Sequence, residues 1–486
     1  MRPMRSLLAT VLAGVALLAA GCGVDSGSNA SSSTTPDTAS LAPKDAGLWI
    51  SVDTDRASDQ WKALDAVLAQ IPGAEKLLND ALAQIGNGDK KLDFRLDVQP
   101  ALGSEVVAVL PAGSSDPVVL VKPTDDTKFK ALLESATKPP VTGERDGWTV
   151  VAPTQKALDA YTAALEKGTL ADSDAFAQAM DGLPAEALAR AFVNGKGLGA
   201  ALAKTAGAAG GALQSIPGVG SVVGASASGN PKAVEQLGTI GLAVSAGDHV
   251  LRVDGSAELA SGVRLVSYAP TLLDRVPADA LVAASFNGSG VVMSLLETAL
   301  GETSPLERQL GVTKADLAAA FDGEGVLYVR PSSFIPEVTL AIRPQDPARA
   351  QRILEGIAEK TRRGAAGTIS IPGLEPTVST VGDTVLVSTA ENAASSFGGS
   401  GTRLTDSDRF KKAAADVGLG DKTSGLLYVD VKAFGPLLST IASLAGSGSD
   451  ATLKKLTDAL SAIDLVVLNS TVDGSRVGFQ GVLRVV

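Results

Sequence analysis

The chain has 486 residues, 45% apolar and 4% aromatic, with a formal net charge of −11, one cysteine and one histidine. That acidity excludes a nucleic-acid partner, whose phosphates need a basic footprint, and the sparse aromatics argue against a sugar-stacking platform. One His and one Cys cannot supply a closed zinc site, so no cofactor is expected, while the length suffices for two or more domains with sizeable cores.

In chain order, residues 1–21 begin with Arg2 and Arg5 and continue as an uncharged Leu, Ala and Val run from Ser6 to Ala20. A basic start, a short apolar stretch and small residues read as a signal peptide, too short to span a bilayer comfortably. The stretch Leu18-Ala19-Ala20-Gly21-Cys22 resembles the bacterial lipobox. The resemblance implies cleavage before Cys22, a diacylglyceryl group on its thiol and acylation of the new amino terminus. Each buried CH₂ contributes about 0.8 kcal/mol, so two or more chains anchor stably. The expected location is the extracytoplasmic face of the cell membrane. Without Arg2 and Arg5 the charge of −11 becomes −13, and with Cys22 lipidated no disulfide forms within the chain.

Residues 22–40 are Ser, Thr, Gly, Asn and Asp with little apolar content. Such a segment buries too little to offset ordering entropy and is expected to be a disordered tether, with an end-to-end distance of roughly 20–25 Å.

From Leu41 the sequence reads as a tandem duplication, residues 41–270 followed by 271–486. Pro43-Lys44-Asp45-Ala46 matches Pro277-Ala278-Asp279-Ala280, and the Asp-Ser-Asp of Leu170–Phe176 matches that of Leu404–Phe410. Both pairs are offset by 234 residues, since 277−43 equals 404−170. Leu120-Val121-Lys122-Pro123 also corresponds to Ala341-Ile342-Arg343-Pro344, and Thr149–Thr154 to Thr384–Thr389. Each half is expected to be α+β. Its opening order, strand–helix–strand–strand–helix–strand, is that of the split βαβ or ferredoxin-like arrangement. Each half then adds a helix, a strand and a closing hairpin, turning at Gly247-Asp248 and Asp473-Gly474.

Residues 195–231 depart from this regularity, carrying no charge from Thr205 to Pro231. They read as a helix followed by a loop. The functional alternative is a gate over an apolar ligand, made by Leu198, Leu202, Leu213, Ile216, Val219 and Val222. His249 lies at a hairpin turn and has no counterpart near Gly474, so it reads as a solvated residue. Asp172, Asp174, Asp406 and Asp408 have the spacing of weak calcium ligands, but Asp-Ser-Asp before a helix reads first as capping. Glu105 and Glu324, at corresponding strand starts, read as edge charge. Trp49, Trp61 and Trp148 read as core.

The Pro-x-Asp-Ala motif leading into a short strand, at Pro43–Ala46 and Pro277–Ala280, resembles the DUF3352 family, a bacterial family of uncharacterised function. The resemblance implies a secreted or anchored envelope protein and carries no site residues. The expectation is therefore a non-enzymatic, lipid-anchored binding or interaction module. Its contacts are the membrane, through lipid on Cys22, and an envelope protein, cell-wall or lipid ligand. The alternative is a carrier of a lipophilic ligand in a cleft between sheets or halves. A hydrolase using acids alone is the third class.

Overall fold

The computed structural model describes residues 36–74, 98–114, 116–134, 139–205, 238–258, 265–288, 312–332, 336–362, 376–435, 437 and 460–486. The chain forms two compact units. Unit 1 holds Met1–Ser261, Ser475–Gly478 and Leu483–Val486; unit 2 holds Gly262–Gly474 and Phe479–Val482.

Unit 1 begins with a 3-10 turn, Asp37–Leu41, in which Thr38, Ala39 and Leu41 are buried. The ordered body therefore starts before Leu41, and the expected tether does not run to Ser40; Thr38 and Ala39 find a core that their composition alone does not announce. Strand β1 (Leu48–Asp53) leads to helix α1 (Asp59–Gln70). The helix is capped by Ser58, whose Oγ accepts from Trp61 N, and buries Trp61, Leu64 and Val67. Next come α2 (Gln99–Leu102), β2 (Glu105–Leu110), β3 (Val118–Val121) and α3 (Asp126–Glu134). Strands β4 (Val141–Arg145) and β5 (Trp148–Ala152) turn through Asp146-Gly147, both at positive φ, as a two-residue hairpin requires. Helix α4 (Gln155–Leu165), a second 3-10 turn (Leu170–Asp172) and α5 (Asp174–Met180) precede β6 (Ala189–Asn194), α6 (Gly195–Thr205), β7 (Thr239–Gly247) and β8 (Val250–Glu258). Gly247 pairs with Val250, so the β7–β8 turn is Asp248-His249, with His249 at φ 57°, one residue later than expected.

The strands run β8-β7-β6-β1-β2-β3-β5-β4, each pair antiparallel. This corrects the ferredoxin-like expectation. A split βαβ places another strand between the two that flank its helix, whereas β1 and β2 are direct partners from Leu48↔Leu110 to Asp53↔Glu105. The chain between Asp53 and Glu105 leaves and returns at one end of the pair. It is an insertion into a hairpin, and element order alone does not distinguish that from a crossover. One sheet face is packed with Trp49, Val107, Val109, Leu120, Val150 and Phe192 under Tyr161, Leu165 and Phe176. The Phe176 ring meets Trp49 at 5.4 Å and Phe192 at 5.1 Å, both edge-on. Deleting that ring by Phe176→Ala removes about 3–5 kcal/mol.

Unit 2 repeats the plan. A 3-10 turn (Thr271–Arg275) precedes β9 (Val282–Asn287), α7 (Lys314–Phe321), β10 (Gly323–Arg330), β11 (Glu337–Pro344) and α8 (Pro347–Arg362). Strands β12 (Thr377–Val381) and β13 (Thr384–Ser388), helix α9 (Ala393–Gly398), a 3-10 turn (Leu404–Asp406), α10 (Asp408–Asp416), β14 (Gly425–Val429) and β15 (Ile463–Asp473) follow, and the last strand, β16 (Arg476–Val485), gives residues 476–478 and 483–485 to unit 1 and 479–482 to unit 2. Its strands run β15-β14-β9-β10-β11-β13-β12. With β9 in the place of β1, the order is that of unit 1 from β7 to β4.

Candidate functional site

Side chains two apart on a strand share a face. On β1 the face that carries Trp49 also carries Ser51 and Asp53; on β2 it carries Val107 and Glu105; on β6, Phe192 and Arg190. The register sets Ser51 between Val107 and Arg190, and Asp53 beside Glu105. The face is thus apolar at one end and polar at the other. Over the polar end lies a cleft of about 470 Å³ lined by Ser51, Asp53, Asp55, Asp59, Glu105 and Arg190, among others. The start of α1 and the segment carrying Ala185, Glu186 and Ala187 complete its wall.

Local bonds hold these groups in place. Asp53 Oδ1 accepts from Asp55 N at 2.8 Å, and its Oδ2 from Ser58 Oγ at 2.6 Å. Burial raises the Asp53 carboxyl above its usual range despite these donors, and the Asp55 charge adds to the effect. Trp61 Nε1 donates to Asp53 O at 2.9 Å, and Gln60 Oε1 accepts from Ala246 N at 2.8 Å, fastening α1 over β7. Glu105 Oε1 accepts from Ser51 Oγ and, at 3.3 Å, from Thr38 Oγ1. Burial holds the Arg190 guanidinium below its ordinary value, against the attraction of Glu105 and Asp37.

At the corresponding place in unit 2 the carboxylate is covered. Asn287 replaces Asp53 opposite Glu324, and Leu426 replaces Arg190 opposite Ser285. Glu324 Oε1 accepts from Leu272 N at 2.5 Å, and Oε2 from Thr271 Oγ1 at 2.8 Å and Arg343 Nη1 at 3.1 Å. Glu324 is only 9% exposed, and burial is the main cause of its raised carboxyl pKa. The edge-charge reading of Glu105 and Glu324 is therefore corrected. Both stand on interior strands, and each ties the 3-10 turn that opens its unit to the sheet.

The Asp-Ser-Asp motifs are caps. Asp172 Oδ2 accepts from Thr169 N at 3.1 Å and Thr169 Oγ1 at 2.9 Å, bonds that hold its carboxyl below the usual range. Ser173 Oγ accepts from Phe176 N. Asp406 Oδ2 accepts from Arg403 N at 3.0 Å and Ser407 Oγ from Phe410 N at 3.1 Å. Asp174 and Asp408 open the helices that follow. Among the described residues, no three His, Cys, Asp or Glu side chains are grouped to hold a metal.

Leu198 is fully buried on α6, whose Gly197 abuts the backbone of Gly47, so it is packed core and not a mobile lip. Leu202 lies on the same helix. The remaining gate residues, Leu213, Ile216, Val219 and Val222, and the lipidation candidate Cys22 lie outside the described residues. His249 is half exposed beside Asp248. Trp49 and Trp61 are fully buried, and Trp148 packs at the core margin. Sequence reasoning missed the cleft. Its signal was the run of acids at Asp53, Asp55 and Asp59, which remains uninformative until register adds Glu105 and Arg190.

No helix among the described residues is long and apolar enough to cross a membrane. No curated protein matches the chain. Two solved structures align with it. The structure of crystal form III of TP0453 is 8% identical over 47% of this chain and 82% of that chain, with a TM-score of 0.21. Crystal form I of TP0453 is 10% identical over 47% and 81%, with a TM-score of 0.20. Residues 6–160 match the model of DUF3352, a protein family of unknown function, the family that the Pro-x-Asp-Ala motifs resemble.

Proposed function

We propose that this protein is a non-enzymatic binding module, held at the extracytoplasmic face of the cell membrane by lipid on Cys22, whose unit 1 cleft receives a cationic, polar group of an envelope protein or cell-wall component. The observation that carries the proposal is the difference between corresponding places in the two units. In unit 2 the carboxylate is closed over by Arg343, Thr271 and Leu272. In unit 1 the cleft stays open, lined by Asp53, Asp55, Asp59, Glu105 and Glu186 with Arg190, Asp59 being held by Lys62 at 2.7 Å. A polar lining of this kind suits a charged group better than a lipophilic cargo.

We also infer that the two units descend from one ancestral unit. The shared strand order supports this, as does the register that pairs Glu105 with Asp53 and Glu324 with Asn287.

A photoactivatable residue at Ala187, in cells making the full chain, is expected to give a discrete adduct that Asp53→Asn with Glu186→Gln abolishes. No adduct, or one unchanged in the double variant, overturns the assignment of the cleft. Cys22→Ala is expected to release the chain from the membrane; a variant that stays membrane-bound at its mature size overturns the anchor.

A further inference from the structure

We infer that Arg275 and Arg403 of unit 2, with Arg343 beside them, form a binding site for the oxyanion of a phosphate group.

The site is built on the 3-10 turn Thr271–Arg275 and the bridge between Pro277 and Arg403. Arg403 Nη1 donates to the carbonyl oxygens of Arg275 at 3.2 Å and Ser396 at 3.1 Å. The Arg275 guanidinium lies over the Phe397 ring at 4.4 Å and donates through Nη1 to Thr384 Oγ1 at 3.2 Å. Thr384 in turn donates to Asp383 Oδ1 at 3.0 Å. Arg343 pairs with Asp383 at 3.0 Å and Glu324 at 3.1 Å, while Asp406 accepts from the Arg403 backbone N–H at 3.0 Å. Among the described residues, neither Arg275 nor Arg403 is ion-paired, and each donates through Nη1 alone.

The acids around the three arginines are already engaged, Glu324 and Asp383 by Arg343 and Asp406 by the Arg403 backbone N–H, so among the described residues the guanidiniums of Arg275 and Arg403 hold no carboxylate. An aromatic ring holds Arg275 by its flat face, leaving the fork edge for in-plane bonds to two oxygens, the geometry that phosphate offers. Burial and repulsion from Arg343 and Arg403 hold the Arg275 guanidinium below its ordinary value, a cost that a bound anion would relieve.

Among the described residues of unit 1, neutral side chains stand where Arg275 and Arg403 stand in unit 2. Leu41 ends its 3-10 turn where Arg275 ends that of unit 2, and Thr169 bridges Pro43 where Arg403 bridges Pro277. The backbone bonds around the two places correspond, Leu170 N to Ala42 O and Leu404 N to Val276 O. Unit 1 therefore makes the same backbone bonds with Leu41 and Thr169 where unit 2 has Arg275 and Arg403.

The full chain in detergent is titrated calorimetrically with inorganic phosphate and, separately, with dihexanoyl phosphatidic acid below its micellar concentration. Saturable binding is expected, weakened about ten-fold or more by Arg275→Met or Arg403→Met. Arg403→Lys, which keeps the charge and loses the fork, is expected to fall between. Binding of both ligands identifies free phosphate as sufficient, and binding of the lipid alone identifies a headgroup. In the unaltered chain, guanidinium Nε–H resonances of Arg275 and Arg403 should move on titration while that of Arg190 stays. No saturable binding of either ligand, or movement confined to other arginines, overturns the site.

Discussion

The Tyr161 hydroxyl donates to the carbonyl oxygen of Leu41 at 2.6 Å, joining α4 to the 3-10 turn that opens unit 1. Both partners are buried, and burial raises the phenol well above its usual range. Tyr161→Phe leaves the Leu41 carbonyl without that donor while keeping the ring. A loss of about 1–3 kcal/mol is expected, read as a lower urea midpoint at unchanged slope.

Asp53 gives a pH signature. Its carboxyl is raised in the folded chain, mainly by burial, so the folded state holds the proton more tightly than the unfolded one. Its contribution is most favourable below the ordinary aspartate value and declines as pH rises through the interval up to the raised value. Asp53→Asn removes that decline. The melting temperature of the variant minus that of the parent should grow as pH rises above the ordinary aspartate value and then level. A flat difference across that range contradicts the buried setting of Asp53.

At Glu324 the sign is the same and a cation sits alongside. Burial raises its carboxyl, and Arg343 opposes the rise. Arg343→Met leaves a buried carboxylate without its cation and should cost about 3 kcal/mol at neutral pH. The cost should shrink as pH falls toward the ordinary glutamate value, because the acid then takes up a proton. Glu324→Gln in the same chain should recover part of the loss. Urea midpoints at two pH values check both statements.

The two caps make a matched pair. Ser173→Ala and Ser407→Ala each remove an acceptor for one backbone N–H, from Phe176 and Phe410. Each is expected to cost about 1 kcal/mol. Added calcium should leave the melting temperature of the parent unchanged, because Asp172 and Asp406 are engaged with Thr169 and Arg403. A calcium-dependent rise would return these acids to a ligand role.

Much of the fold was legible because it rests on local signals. Apolar runs mark β1, β2, β3 and β5, and Asp-Ser-Asp before Phe176 and Phe410 marks two helix starts. Strands β4 and β12 escaped notice because they are largely exposed and polar, with no apolar alternation to betray them; only Asp146-Gly147 hinted at the first. The pairing of β1 with β2 was illegible because periodicity fixes which face a side chain takes and says nothing of which strand lies beside it. The cleft was hidden for the same reason, since Ser51, Glu105 and Arg190 meet only through register. The arginines of unit 2 are likewise scattered, and a 3-10 turn, a strand and a single bridge bring them together.

Unit 1 is discontinuous along the chain, taking in residues 475–478 and 483–486 after all of 262–474 has intervened. Val485 N donates to His249 O and Arg476 to Asp181 within it. A ribosome therefore cannot deliver a finished first unit before it has made nearly everything else. A fragment stopping at residue 261 lacks those contacts, and a growing chain must keep its earliest strands from misassembling until the closing segments arrive.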